Sequence, residues 1–150
     1  MNPAQNYLRT RVLTATPEQL QMMLFDGAVR FAEQARVAVV AGNFEQSYNN
    51  ISRCQKIIAE LTSSLRHDVN PELCGKLASL YNFVYRKLVE ANIEHNIEAI
   101  DEALNVLKYQ RETWQMLLQQ IGKDKAGKAA QGLSLPPPDD RMETSIRMSA

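Results

Sequence analysis

Two cysteines, two histidines, one tryptophan and no excess of either charge leave this 150-residue chain short of several kinds of chemistry. Cys54 and Cys74 stand far apart, with neither a CxxC pair nor zinc-finger spacing. They read as small buried thiols of a reducing compartment rather than as a disulfide framework or a metal site. Lys and Arg together number 17, as do Asp and Glu, so no global field favours nucleic acid or an anionic membrane surface. No apolar run approaches the length that spans a bilayer, and the first residues lack the basic start and continuous apolar core of a secretory signal. The expectation is a cytoplasmic protein with no membrane insertion.

Catalytic patterns are missing as well. The chain has no Gly-rich phosphate loop, no HExxH and no GxSxG. A di-iron bundle needs Glu-x-x-His pairs, and neither His67 nor His95 has a Glu three positions before it. Tyr81, Phe83 and Tyr85 could stack on bases, but only Arg86 and Lys87 accompany them, too little charge for a nucleic-acid footprint. The sequence predicts no enzyme, no cofactor and no metal.

What is present is helix, repeated. Apolar residues make up 45% of the chain, enough to bury a core at this length. Thr16-Pro17-Glu18-Gln19 is a capping box with proline at the first helical position, where the missing amide costs nothing. Behind it Leu20, Leu24, Gly27/Ala28, Phe31, Ala35 and Ala38 mark one face of a first predicted helix, over about 17–40. Gly42 suits the left-handed turn that ends it. Asn43 caps a second helix, with Gln46 as reciprocal partner and Phe44, Tyr48, Ile51, Ile58, Leu61 and Leu65 as its stripe. Asn70-Pro71-Glu72 starts a third, with Leu73, Leu77, Leu80, Val84, Leu88 and Ala91. After a break at 92–96, a fourth carries Ile97, Ile100, Leu104, Leu107, Trp114, Leu118 and Ile121, and Gly122 closes it.

Helices of about twenty residues are about 30 Å long, and short connections make sequential neighbours antiparallel. No alternating strand pattern competes. The predicted fold class is all-α: an antiparallel up-down four-helix bundle over 16–122. An N-terminal arm or short irregular cap (1–15) precedes it, and a Pro- and Gly-containing, disordered tail (123–150) follows.

The helices carry more apolar surface than one seam requires. Met22, Met23, Phe25 and Val29 lie off the first helix's main stripe, and Tyr81, Phe83 and Tyr85 point around the third. Either the core face is wide, or the excess lines a groove for apolar segments of a partner. Gln55 and Arg111 interrupt apolar stripes. Both can sit at the seam's edge and reach water, or they can bond a client's backbone, with Arg111 also able to pair with Asp26. Gly27 in mid-helix costs about 1 kcal/mol relative to Ala, which close approach of another helix or a bound chain would offset.

The wording of three blocks is more specific than their periodicity. Thr14-Ala-Thr-Pro-Glu-Gln-Leu20 with Met23-Leu-Phe-Asp-Gly-Ala28 resembles the opening helix of the flagellar export chaperones, the FliS family. Leu80-Tyr-Asn-Phe-Val-Tyr-Arg-Lys-Leu-Val-Glu-Ala-Asn92 is similar to that family's third helix. Ile100-Asp-Glu-Ala and Arg111-Glu-Thr-Trp114 are similar to its last. Asn82 and Phe83 depart from the Asp-Tyr of the pattern, which bears on fine selectivity. The matching positions are Tyr7, Leu24, Phe25, Asp26, Gly27, Leu80, Tyr81, Arg86, Leu88, Ala91, Asn92 and Trp114.

The resemblance implies a flagellin-specific export chaperone. Its client would be the disordered C-terminal segment of flagellin, shielded from premature polymerisation and delivered to the flagellar export apparatus at the export gate, with room for a co-chaperone or regulator. It favours the groove over the wide core, and implies client contacts at Tyr7, Val12, Leu13, Phe25, Val29, Gln55, Tyr81, Val84, Tyr85, Asn92 and Arg111. It also suggests that the arm folds back over the empty groove until client displaces it. Competing readings are a ligand- or metal-binding bundle with an enzymatic or sensory role, and an adaptor for a different protein client.

Overall fold

The capping signals place the helix starts where the sequence puts them. In the computed structural model, which describes residues 2–133 and side chains as far as 130, five helices follow one another: α1 (Pro3–Thr14), α2 (Pro17–Val40), α3 (Phe44–Ser63), α4 (Pro71–Glu94) and α5 (Ile97–Leu133). The Thr16 hydroxyl accepts the Gln19 amide at 3.1 Å and the Gln19 side chain accepts the Thr16 amide at 3.0 Å, so both halves of the box are made. Asn43 and Asn70 cap α3 and α4 by accepting the amides of Gln46 and Leu73. Gly42 takes φ 74°, the left-handed turn that lets α3 reverse on α2.

Cross-helix pairs fix the register. Ala28 accepts a hydrogen bond from the Cys54 thiol, and Gly27 faces Ile57, so α2 and α3 run antiparallel. Along α2, Glu18, Glu33 and Arg36 meet Trp114, Lys108 and Asp101 of α5 in descending order. Lys87 of α4 reaches Glu102 of α5 at 3.2 Å. The architecture is all-α: α2, α3, α4 and residues 97–115 of α5 form an up-down bundle. Its core lies in the unit Met1–Gln115; from Met116 a second unit begins, whose described part stays helical to Leu133.

The core is the buried set Phe25, Ala28, Val29, Ala32, Ala35 and Val39 of α2 against Ile51, Cys54, Ile58 and Leu61 of α3, joined by Tyr81, Val84, Leu88 and Ala91 of α4 and by Ala99, Ile100, Ala103, Leu104 and Leu107 of α5. Fully burying one such large side chain stabilises by about 1.5–3 kcal/mol. The α2 side of this core is built partly from small residues, with alanine at 28, 32 and 35 fully buried. A Cβ on Gly27 would stand 3.1 Å from Ile57 Cδ1, so the missing side chain of Gly27 is the space α3 occupies.

Several expectations change here. Residues 3–14, expected as an arm or short irregular cap, form a capped helix: Asn2 accepts the Gln5 amide at 2.8 Å, and Pro3 is a first-turn proline. None of α1 is buried. The inward face of α2 is wider than the spacing suggested: Gly27, Ala28, Ala35 and Ala38 of the expected stripe are buried, Phe25 and Val29 join them, and Leu20 is exposed. On α3, Phe44 and Tyr48 are exposed and Ser47 and Asn50 take the inward positions. On α4, Leu73 is exposed and Tyr81 is inside.

Gly122 does not close α5. Only Gly42 and His95 have positive φ among the described residues, and the lysines and alanines after Gly122 are good helix formers, so the helix continues. The rest of the expected tail, 134–150, lies outside the described residues. His95 ends α4 in the left-handed conformation, φ 53°, with its ring stacked on Phe44 at 3.8 Å.

Candidate functional site

Two apolar depressions open beside one another on the bundle. The first, about 420 Å³, lies at the end where α2 and α4 begin and α3 finishes. Phe25, Leu65, Leu77, Tyr81 and Trp114 form its apolar lining, and Glu18, Gln21, Arg66, Gln110 and Thr113 stand among its polar wall residues. The second, about 350 Å³, is a groove between α3 and α4 built from Ile58, Ala59, Thr62, Tyr81, Asn82 and Tyr85. Tyr81 borders both, and α3 passes from Thr62-Ser63 in one to Ser64-Leu65 in the other. The two therefore adjoin, as an apolar track running from Tyr85 around the end of α3 to Trp114.

Local chemistry holds the track's walls. The Trp114 indole donates to the Glu18 carbonyl at 2.9 Å, tying α5 to the first turn of α2. Its ring meets Phe25 at 6.4 Å between centroids, tilted by 49°, a favourable aromatic geometry. Tyr81 is only 2% exposed, and burial pushes its hydroxyl up to about 12, so it remains neutral under any ordinary condition. Tyr85 is 40% exposed and is the aromatic a partner can reach without moving a helix. Such a track can bury apolar side chains of an extended or helical peptide, with Asn82, Thr62 and Gln21 at hand for its backbone.

The structure gathers only part of the residues singled out from the sequence. Phe25, Tyr81 and Tyr85 line the track. Val29 and Val84 are fully buried in the core, where no partner touches them unless the helices part. Gln55, Asn92 and Arg111 are half-buried on α3, α4 and α5 and border neither depression. Arg111 makes no ion pair with Asp26 among the described residues. Tyr7, Val12 and Leu13 project from α1, all exposed, Tyr7 by 69%.

The spacing did not mark Gln21, Leu65, Leu77 and Asn82 as wall residues; Trp114, expected in the core stripe, packs against the core and also lines the depression. Leu65 ends one apolar stripe and Leu77 lies one turn inside the start of another, and a stripe that outlasts its neighbour helix is the signal that could have found them.

No helix among the described residues is long and apolar enough to cross a membrane. Residues 1–121 match the family model described as flagellar protein FliS. The chain is 32% identical over 126 residues to the flagellar secretion chaperone FliS of Bacillus subtilis, a match covering 84% of this chain and 93% of that one. With its counterpart from Salmonella typhimurium it shares 30% identity over 115 residues, covering 76% and 85%. A crystal structure of a flagellar chaperone from bacteria superposes with a TM-score of 0.65 at 15% identity, covering 79% of this chain and 99% of that one, which shows a shared fold.

Proposed function

Because the chain belongs to the flagellar protein FliS family and is a flagellar secretion chaperone rather than an enzyme, we propose that its client is the C-terminal segment of flagellin, held in the cytoplasm along the track through Tyr81. The observation that carries this reading is the adjoining pair of apolar depressions, whose accessible edges are Tyr85, Leu65, Leu77 and Trp114. A filament subunit that polymerises through apolar helix faces associates too early unless those faces are covered. A track of this kind covers them one turn at a time. Ordering the segment on the bundle consumes part of the contact energy, so a large contact area gives an affinity low enough for later release. No nucleotide is needed; release follows when the client is drawn away at the export gate, where a co-chaperone or regulator can compete.

In this reading residues 16–122 are the client-holding bundle and 1–15 an arm. The apolar residues of α1 (Tyr7, Val12 and Leu13) cover the track when it is empty and give way to client. The test is calorimetric titration of the chain with full-length flagellin and with flagellin lacking its C-terminal segment. Binding to the first alone supports the reading; equal binding to both, or to neither, overturns it.

A further inference from the structure

On the far side of α3, between α2 and α3, a third depression of about 620 Å³ has a different chemistry and is unused by the reading above. We propose that this trough docks an acidic, extended segment of a partner protein, with Arg30 and Arg53 taking its carboxylates. The inference stands independently of which client fills the apolar track.

Three observations point to that occupant. Arg30 and Arg53, one from each helix, both lie over the ring of Phe31, their guanidinium carbons 5.2 and 5.8 Å from its centroid. One aromatic ring thus holds two cations at the same end of the trough, against their mutual repulsion, and leaves their N–H edges free. Neither has a carboxylate within ion-pair distance among the described residues. The one acid in the wall, Glu33, is engaged by Lys108 at 3.2 Å. The trough therefore presents uncompensated positive charge on a chain whose formal charge is zero.

Asn50 gives the trough a group that suits a peptide backbone. It borders the trough, is only 6% exposed, and its amide donates to the Gln46 carbonyl at 2.9 Å. Its Oδ1 accepts nothing from the described residues and is open to the trough's solvent, so it can take an N–H donor, the group a peptide backbone supplies. Gln34 and Gln46 add carboxamides along the same walls, and Val37, 70% exposed, adds an apolar contact.

From Arg53 to Gln46 is seven residues of helix, about 10 Å. That is the span of about three residues of extended chain. The recognised element is thus one or two acidic side chains followed by a short backbone stretch. Two arginines are too few for a nucleic-acid backbone, which needs a stripe of cations.

Fluorescence anisotropy with a labelled Asp- and Glu-rich peptide, its Asn- and Gln-substituted counterpart, and a single-stranded oligonucleotide as competitor tests this on the full chain. Arg30 and Arg53 are exposed, so R30Q/R53Q should fold, as thermal unfolding will check; R53Q alone serves if it does not. The expected result is saturable binding of the acidic peptide, weakened by added salt and at least about tenfold by the double variant (about threefold or more by R53Q alone), with the neutral peptide bound at least about tenfold more weakly. Absent binding, equal binding of the neutral peptide, an unchanged affinity in the variant, or efficient displacement by the oligonucleotide would each overturn the proposal.

Discussion

Trp114 donates its indole N–H to the backbone carbonyl of Glu18, 96 residues earlier in the chain, at 2.9 Å. The bond fastens α5 to the first turn of α2 and so forms one wall of the end depression. Trp114→Phe keeps most of the apolar surface and removes the donor. The expected loss of stability is about 1 kcal/mol in urea unfolding, with a larger proportional loss of flagellin affinity, because the wall loses its position.

Tyr81 and Tyr85 separate folding from binding. Tyr85→Ala removes a half-open aromatic and should change stability by less than about 1 kcal/mol while weakening client binding about tenfold. Tyr81→Ala empties a core position and should cost about 3–5 kcal/mol in folding. Paired unfolding and titration curves check both; equal effects of the two variants would place Tyr85 in the core instead.

Ser47 is buried at the α3 seam with a hydroxyl that has no partner among the described residues. Removing an unsatisfied buried hydroxyl releases its desolvation cost. Ser47→Ala should therefore stabilise the chain by up to about 1 kcal/mol, seen as a raised urea midpoint with an unchanged slope.

Alkaline pH should unfold the bundle through Cys54. Burial pushes this thiol from 9.0 up to about 12. Above pH 9 the unfolded chain gives up this proton and the folded chain does not, so the unfolded state binds fewer protons and stability falls as pH rises from 9 toward 12. Tyr81 acts in the same direction above 10. Stability measured from pH 7 to 11 should decline, and a thiol reagent should reach Cys54 only as fast as the bundle opens.

Acid acts through Asp101, whose carboxyl is held below the usual range by its hydrogen bond to Arg36 and the adjacent charge. The stabilisation is present above the ordinary carboxylate range, near 4, and is lost as pH falls through the depressed value. The pair is well exposed, so the effect is small. Asp101→Asn should flatten the acid limb of the stability curve slightly and leave neutral stability nearly unchanged.

The three N-caps of the bundle were legible in the sequence, while the helix at Pro3, the run past Gly122 and the full width of each inward face were not. Thr16, Asn43 and Asn70 cap through amides three residues away, so nothing distant can overrule them. The direction a helix faces is decided by its neighbours. α2 carries apolar residues on more than one side, and spacing alone could not tell that Phe25 and Val29 join Ala28 and Ala35 inside while Leu20 does not. Ser47 and Asn50 are inside while Phe44 and Tyr48 are out, an order that hydrophobicity reads backwards. Of the track, Phe25, Tyr81 and Tyr85 were legible as surplus aromatics; the walls made by Leu65 and Leu77 needed the bundle's end to be seen.

The alanine seam between α2 and α3 divides what this protein can vary from what it cannot. Ala28, Ala32 and Ala35 leave no room to grow, and a bulkier residue there would wedge the two rods apart. Tyr85, Asn82 and Gln21 stand outside that spine, with solvent to yield into. A lineage could re-letter them for a new cargo without rebuilding the frame.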